Sequence, residues 1–86
     1  LSFQLIGVDP NPALHESVLT IFSSEVKQIA LQLTDATGRI ILTRTVSLSD
    51  GMNTIPLFEN QKPGAGVYVL KAGGHTFSDM LRIVIL

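Results

Sequence analysis

The sequence predicts an all-β fold, two antiparallel sheets packed face to face, and three observations predict it. β-Branched and aromatic residues come in about seven short runs. Gly, Pro, Asn and Asp separate the runs at intervals of roughly 8 to 12 residues, the spacing of a sandwich or barrel. The run Val26 to Thr34 alternates Ile29, Leu31 and Leu33 with Gln28, Ala30 and Gln32. Period two with apolar residues on one side means a sheet with one wet face. No stretch carries a helical period of apolar residues with caps.

The first strand is expected over Phe3 to Val8. Asp9-Pro10-Asn11-Pro12 stops it, since each proline lacks a backbone donor and fixes φ near -65°. Asp9 and Asn11, each before a proline, are pushed to extended conformations. This segment cannot continue a ladder and is read as a stiff, straight spacer from one sheet to the other. Strands follow over Ser17 to Phe22, Val26 to Thr34 and Arg39 to Val46. "TDATGR" (Thr34 to Arg39) reads as a type I turn with Gly38 left-handed, a common hairpin closure. "SDGMN" makes a similar break before a strand at Met52 to Leu57. "ENQKPGAG" is the longest polar loop. The last two strands, Gly66 to Ala72 and His75 to about Ile85, flank Gly73-Gly74, a two-residue hairpin signal. About seven strands in under 100 residues fits an immunoglobulin-like antiparallel β-sandwich, by shape alone.

Composition bounds the rest. The chain has 86 residues, enough for one domain. Its 45% hydrophobic and 15% charged shares argue for a packed core and against disorder. A net charge of -1 steers it to neither nucleic acid nor an anionic membrane. Cysteine is absent, so disulfides and thiolate metal sites are excluded. The chain begins at Leu1 and is read as a piece of a larger protein, without a signal peptide at its start. The longest apolar runs, Ile83 to Leu86 among them, are far too short to cross a bilayer as a helix.

Catalytic chemistry finds little footing. His15 and His75 stand about sixty positions apart, without the neighbours that a metal site needs. Asp35 and Asp50 stand at turns, where a short carboxylate caps backbone N–H groups. Asp79 falls near the middle of a strand, which disfavours Asp. It is expected to face water or a basic residue across the strands. The serines lack a nucleophile-elbow context, and no glycine cluster opens a helix to cradle phosphate. The six basic residues are scattered and not interleaved with aromatics, against a nucleic-acid face. Tyr68 reads as a core tyrosine whose hydroxyl finds a partner at a sheet edge. No enzyme and no cofactor is indicated.

Four motifs lie in order: "VDPNPA", "LQLTDATGRIIL", "LSDGMNTIPL" and "GAGVYVLKA". The chain resembles the type A C-terminal sorting domain of the type IX (Por) secretion system, from about Val8 to Ile85. That family shows a "PNP" after the first strand, then a "D-x-x-G-[KR]" hairpin. A "G-x-N-x-[IL]-x-[LV]" strand and a "G-x-Y-x-[LIV]" strand follow. By position the resemblance implicates Pro10, Asn11, Pro12, Asp35, Gly38, Gly51, Asn53, Gly66 and Tyr68. It also implicates the last strand: Asp79, Met80, Leu81, Arg82, Ile83, Val84, Ile85 and Leu86. Family members often finish on a basic pair, whereas this strand has only Arg82 and ends "IVIL".

The resemblance implies a non-catalytic domain at the end of cargo proteins of Bacteroidota-type bacteria. Such cargo transits the periplasm and reaches the outer-membrane surface or the medium. The implied partners are the outer-membrane translocon and a sortase that removes the tail and attaches the cargo to the surface. The Pro-bounded first strand and the apolar last strand are each expected to leave a backbone edge open for strand addition. Such an edge also invites self-pairing, so a homodimer through an exposed strand edge is a further expectation. The competing reading is a non-catalytic immunoglobulin-like accessory domain that binds carbohydrate or spaces other domains of a secreted protein. That reading calls for exposed aromatics on one face, and Phe3, Phe22, Phe58, Phe77 and Tyr68 are few and mostly fall within strands.

Overall fold

The computed structural model describes residues 2–59 and 62–86. Among them are seven antiparallel strands and no helix: β1 (Phe3–Asp9), β2 (Val18–Ser23), β3 (Lys27–Asp35), β4 (Ile40–Leu48), β5 (Gly51–Pro56), β6 (Gly66–Gly73) and β7 (Phe77–Ile85). The expected immunoglobulin-like sandwich is thus the architecture found, with strand ends within two residues of those read from the sequence. One sheet has the order β1-β2-β5 and the other β4-β3-β6-β7.

Alternation in each strand supplies the core. β2 turns Leu19, Ile21 and Ser23 inward, β3 Ile29, Leu31 and Leu33, β6 Tyr68, Leu70 and Ala72, and β7 Ile83 and Ile85. These close-packed side chains fill the space between the sheets. The core also buries two serines with partners. Ser17 Oγ donates to Pro10 O (2.9 Å) and accepts from Leu14 N (2.8 Å), while Ser23 Oγ donates to Glu25 O. Among the described residues no buried side-chain polar atom lacks a partner.

Two local expectations need correction. The segment after β1 does not run straight. Both Asp9-Pro10 and Asn11-Pro12 are cis, and the chain bends across Pro10 to Pro12. It still carries the chain between sheets: buried Ala13 forms a parallel bridge with Ile85 of β7. The second correction concerns Gly73-Gly74. Gly73 pairs with Phe77, so Gly74, His75 and Thr76 form the loop, and β7 begins at Phe77 rather than His75. Gly73 is needed for room, because a Cβ there would collide with the Thr76 carbonyl. The long polar loop includes Asn60 and Gln61, which lie outside the described residues.

Candidate functional site

Outside the last strand, the residues singled out by motif sit at or beside the corners and turns of the sandwich. Pro10, Asn11 and Pro12 are exposed and deliver Ala13 to the edge of β7. There Ala13 N donates to Val84 O (2.6 Å), and Leu86 N donates to Ala13 O (3.1 Å).

Asp35 and Gly38 close the β3–β4 hairpin. Asp35 Oδ1 accepts from Thr37 N (2.9 Å), the Thr37 hydroxyl (2.6 Å) and Arg39 N (3.0 Å). Its Oδ2 lies 3.3 Å from Arg39 Nε. The Thr37 hydroxyl foremost holds the carboxyl below the usual aspartate range; burial, next in size, opposes it, and the Arg39 and Thr37 amides and the Arg39 charge add to the lowering. Gly38 takes φ 90°, which side chains avoid, as the expected turn requires.

Gly51 and Asn53 hold the corner where the chain leaves β4 and joins the other sheet. Gly51 takes φ 106°. Asn53 Oδ1 accepts from Ser49 N (2.8 Å), and Asn53 Nδ2 donates to Ser49 O (2.9 Å) and Gly51 O (3.2 Å). The cap expected of Asp50 is therefore made by Asn53, whose carboxamide can both accept and donate where a carboxylate only accepts. Gly66 opens β6, and the buried Tyr68 donates its hydroxyl to Gly64 O (2.7 Å), the sheet-edge partner expected for it.

The last strand divides by alternation. Ile83 and Ile85 are core, Leu81 and Val84 half-buried, and Met80, Arg82 and Leu86 exposed. The Lys62 ammonium donates to the Leu86 carbonyl. Asp79 faces neither open water nor a basic residue. Its Oδ2 accepts from Leu5 N of β1 (2.8 Å), and its Oδ1 from Met80 N (2.9 Å). The bond satisfies a donor on an edge strand, a position where an unpaired N–H would otherwise be left.

This placement narrows the expectation of open edges at the first and last strands. β1 and β7 are the outer strands of their sheets, but they lie side by side. Asp79 closes the pair at Leu5, and Ala13 closes β7 at Ile85. The opposite flank, between β4 and β5, is held by a second charged residue that the sequence reading left unassigned. Arg44 Nη1 donates to Pro56 O (2.8 Å) and Leu57 O (3.3 Å), with Nε 3.5 Å from Glu59. Beside it a groove of about 470 Å³ follows β4 from Ile41 to Arg44, faced by Leu57, Glu59, Lys62, Pro63 and Gly64.

Most of the motif residues gather at one end of the sandwich: Asp35 pairs with Tyr68, Tyr68 and Gly66 pair with Ile83 and Ile85, and Ile85 bridges to Ala13 after the prolines. Gly51 and Asn53 hold a corner at the other end. His15 and His75 are exposed in different loops. No group of three potential metal ligands is found among the described residues. What the arrangement can do is fix the shape of a small module and the exposure of its faces.

Sequence comparison agrees with the motif positions. A family model described as "Secretion system C-terminal sorting domain" matches residues 8–86. A search of curated proteins returned no match. With the match spanning nearly the whole chain, the protein belongs to the secretion-system C-terminal sorting domains, the non-catalytic signals that send cargo proteins through type IX secretion to the cell surface or beyond.

Proposed function

We propose that residues 1–86 form a single address label at the end of a larger cargo protein, read as a folded object by the outer-membrane translocon. The cargo passes through the periplasm, crosses the outer membrane, and is cut from its label by a sortase that attaches it to the surface. The observation that carries this reading is the correspondence between family match and fold. Within residues 8–86, the prolines, Asp35, Gly38, Gly51, Asn53 and Gly66 fall at or beside turns, and Tyr68, Ile83 and Ile85 fall in the core between the sheets. The motif residues thereby act through folding, and recognition falls to the faces and edges they set in place. Strand addition finds its opening along β4, beside the Ile41–Arg44 groove, rather than at the β1–β7 flank. Pairing of two copies along the same edge accounts for a homodimer of the isolated domain.

Fusion of residues 1–86 to a periplasmic reporter in a type IX-competent cell tests the reading. The reporter is expected at the cell surface or in the medium, with the label missing from the surface form. A reporter that stays wholly in the periplasm overturns the proposal.

A further inference from the structure

The two broad outer faces differ in charge. The outer face of the three-stranded sheet carries one charge, the negative Asp9 opposite Val18 at the end of β1; its other outward residues, Ile6, Phe22 and Met52 among them, are uncharged. The four-stranded sheet shows two charges on its outer face, Lys71 on β6 and Arg82 on β7, both positive. In the pairing of β6 with β7, Lys71 is opposite Met80 and Arg82 opposite Val69, so the two cations are diagonal neighbours. Diagonal neighbours on one face stand about 7–8 Å apart.

Among the described residues no carboxylate pairs with them. The chain's carboxylates lie on rims and loops, and Asp79 of the same strand turns away to Leu5. The carboxylate pairs formed are those of Lys27, Arg39 and Arg44. Among the described residues, neither Lys71 nor Arg82 makes an ion pair. Adjacent like charges on a sheet are unfavourable without a counter-charge. Around them the face is mixed: Gln32 of β3 stands opposite Lys71, while towards β7 the neighbours are apolar, with Met80 64% and Val67 38% exposed and Val69 and Val84 beside them.

We infer that the β6–β7 half of this face docks an acidic segment of a partner polypeptide, its carboxylates meeting Lys71 and Arg82 and its apolar side chains meeting Met80 and the valines. Charge complementarity selects an anion, and the surrounding apolar side chains select a peptide over a bare oxyanion. Two cations on a chain of net charge -1 fall short of the roughly four to eight clustered cations that hold a protein to anionic lipid. The inference rests on the sorting reading and names the chemistry of the partner's contact.

The test uses a full-length cargo carrying this domain in an export-competent cell. K71Q/R82Q is expected to lower the exported-to-periplasmic ratio about three- to tenfold, the loss of two exposed ion pairs. K71E/R82E is expected to lower it further. Q4E/T54E makes the same net charge change as K71Q/R82Q on the outer face of the other sheet and is expected to export normally. The swap K71R/R82K keeps the charges and is expected to export normally, which separates recognition from misfolding. Equal export by the wild type, K71Q/R82Q and K71E/R82E overturns the inference, as does an equal loss in Q4E/T54E. Purified wild-type cargo is expected not to sediment with phosphatidylglycerol vesicles. Sedimentation that K71Q/R82Q abolishes would assign the face to a membrane and overturn the peptide partner. Deleting residues 1–86 separates the two readings. If the deletion leaves export intact, the sorting reading fails. If it blocks export while both pair variants export normally, only this inference fails.

Discussion

Replacing Asp79 by alanine removes the one side chain seen to join the middle of β7 to β1. Two acceptors go at once: Oδ2, at 2.8 Å from Leu5 N, and Oδ1, at 2.9 Å from Met80 N. Hydrogen bonds to a charged acceptor contribute roughly 1.5–3 kcal/mol. Asp79 is half-buried, and solvent access brings the expected loss for D79A down to about 1–2 kcal/mol. For a domain of this size each kcal/mol lowers Tm by roughly 4–8 °C. D79N keeps one amide oxygen as an acceptor and is expected to lose about half as much. Urea unfolding gives the global number, and amide exchange gives the local one. In D79A the Leu5 amide is expected to lose protection while the Ile21 amide on β2 keeps it. Equal midpoints for D79A and wild type, with Leu5 still protected, would refute the assigned contact.

Three more substitutions address the corners. Tyr68→Phe removes the hydroxyl that donates to Gly64 O at 2.7 Å but leaves the buried ring, so urea unfolding is expected to show a loss of about 1 kcal/mol. Asn53→Ala frees Ser49 N and Ser49 O together. A loss of about 1–2 kcal/mol is expected, with faster proteolysis between β4 and β5. Asp35→Asn tests the hairpin through pH. Because the folded carboxyl titrates below its ordinary value, its stabilisation is complete above roughly pH 4 and fades as pH falls through the folded value. Acid titration of Tm is expected to lose part of its slope below about pH 4 in Asp35→Asn; an unchanged slope would contradict the assignment.

Much of this fold was legible because its signals are local. Alternation in Gln28 to Leu33 marks one strand and its inner face without any partner. Asp35 and Gly38 specify a hairpin within five residues. Tyr68 and Gly64 lie one turn of chain apart. Contacts between distant parts of the chain escaped. Asp79 was conspicuous as an Asp within a strand, but its partner Leu5 lies 74 positions away, and no periodicity reports on that. Arg44 appears as one more scattered cation until β4 and the end of β5 are brought together. The prolines announce a break, but the destination of Ala13 depends on how the two sheets stack. The edges were legible only in part: β1 and β7 are outermost in their sheets as read, but that the two lie side by side depends on how the sheets stack.

The last strand illustrates why a sorting signal resists mapping by truncation. Removing Leu81 to Leu86 from a cargo is expected to trap it in the periplasm, since the family's export function is implied for this strand. The same cut removes Ile83 and Ile85 from the core, each 1% exposed, and abolishes the bridge to Ala13. Loss of even one buried isoleucine side chain costs roughly 2–5 kcal/mol, comparable with the whole stability of a small domain. A truncated cargo therefore reports a failure to fold whether or not the strand is itself read. Exposed side chains of the same strand do not share this defect. Met80→Ser and Leu86→Ser alter surfaces 64% and 58% exposed, and each is expected to shift stability by less than about 0.5 kcal/mol. If either substitution lowers export while Tm holds, the surface of β7 is read directly. If both leave export intact and only the truncation blocks it, the strand serves the address solely by completing the sandwich.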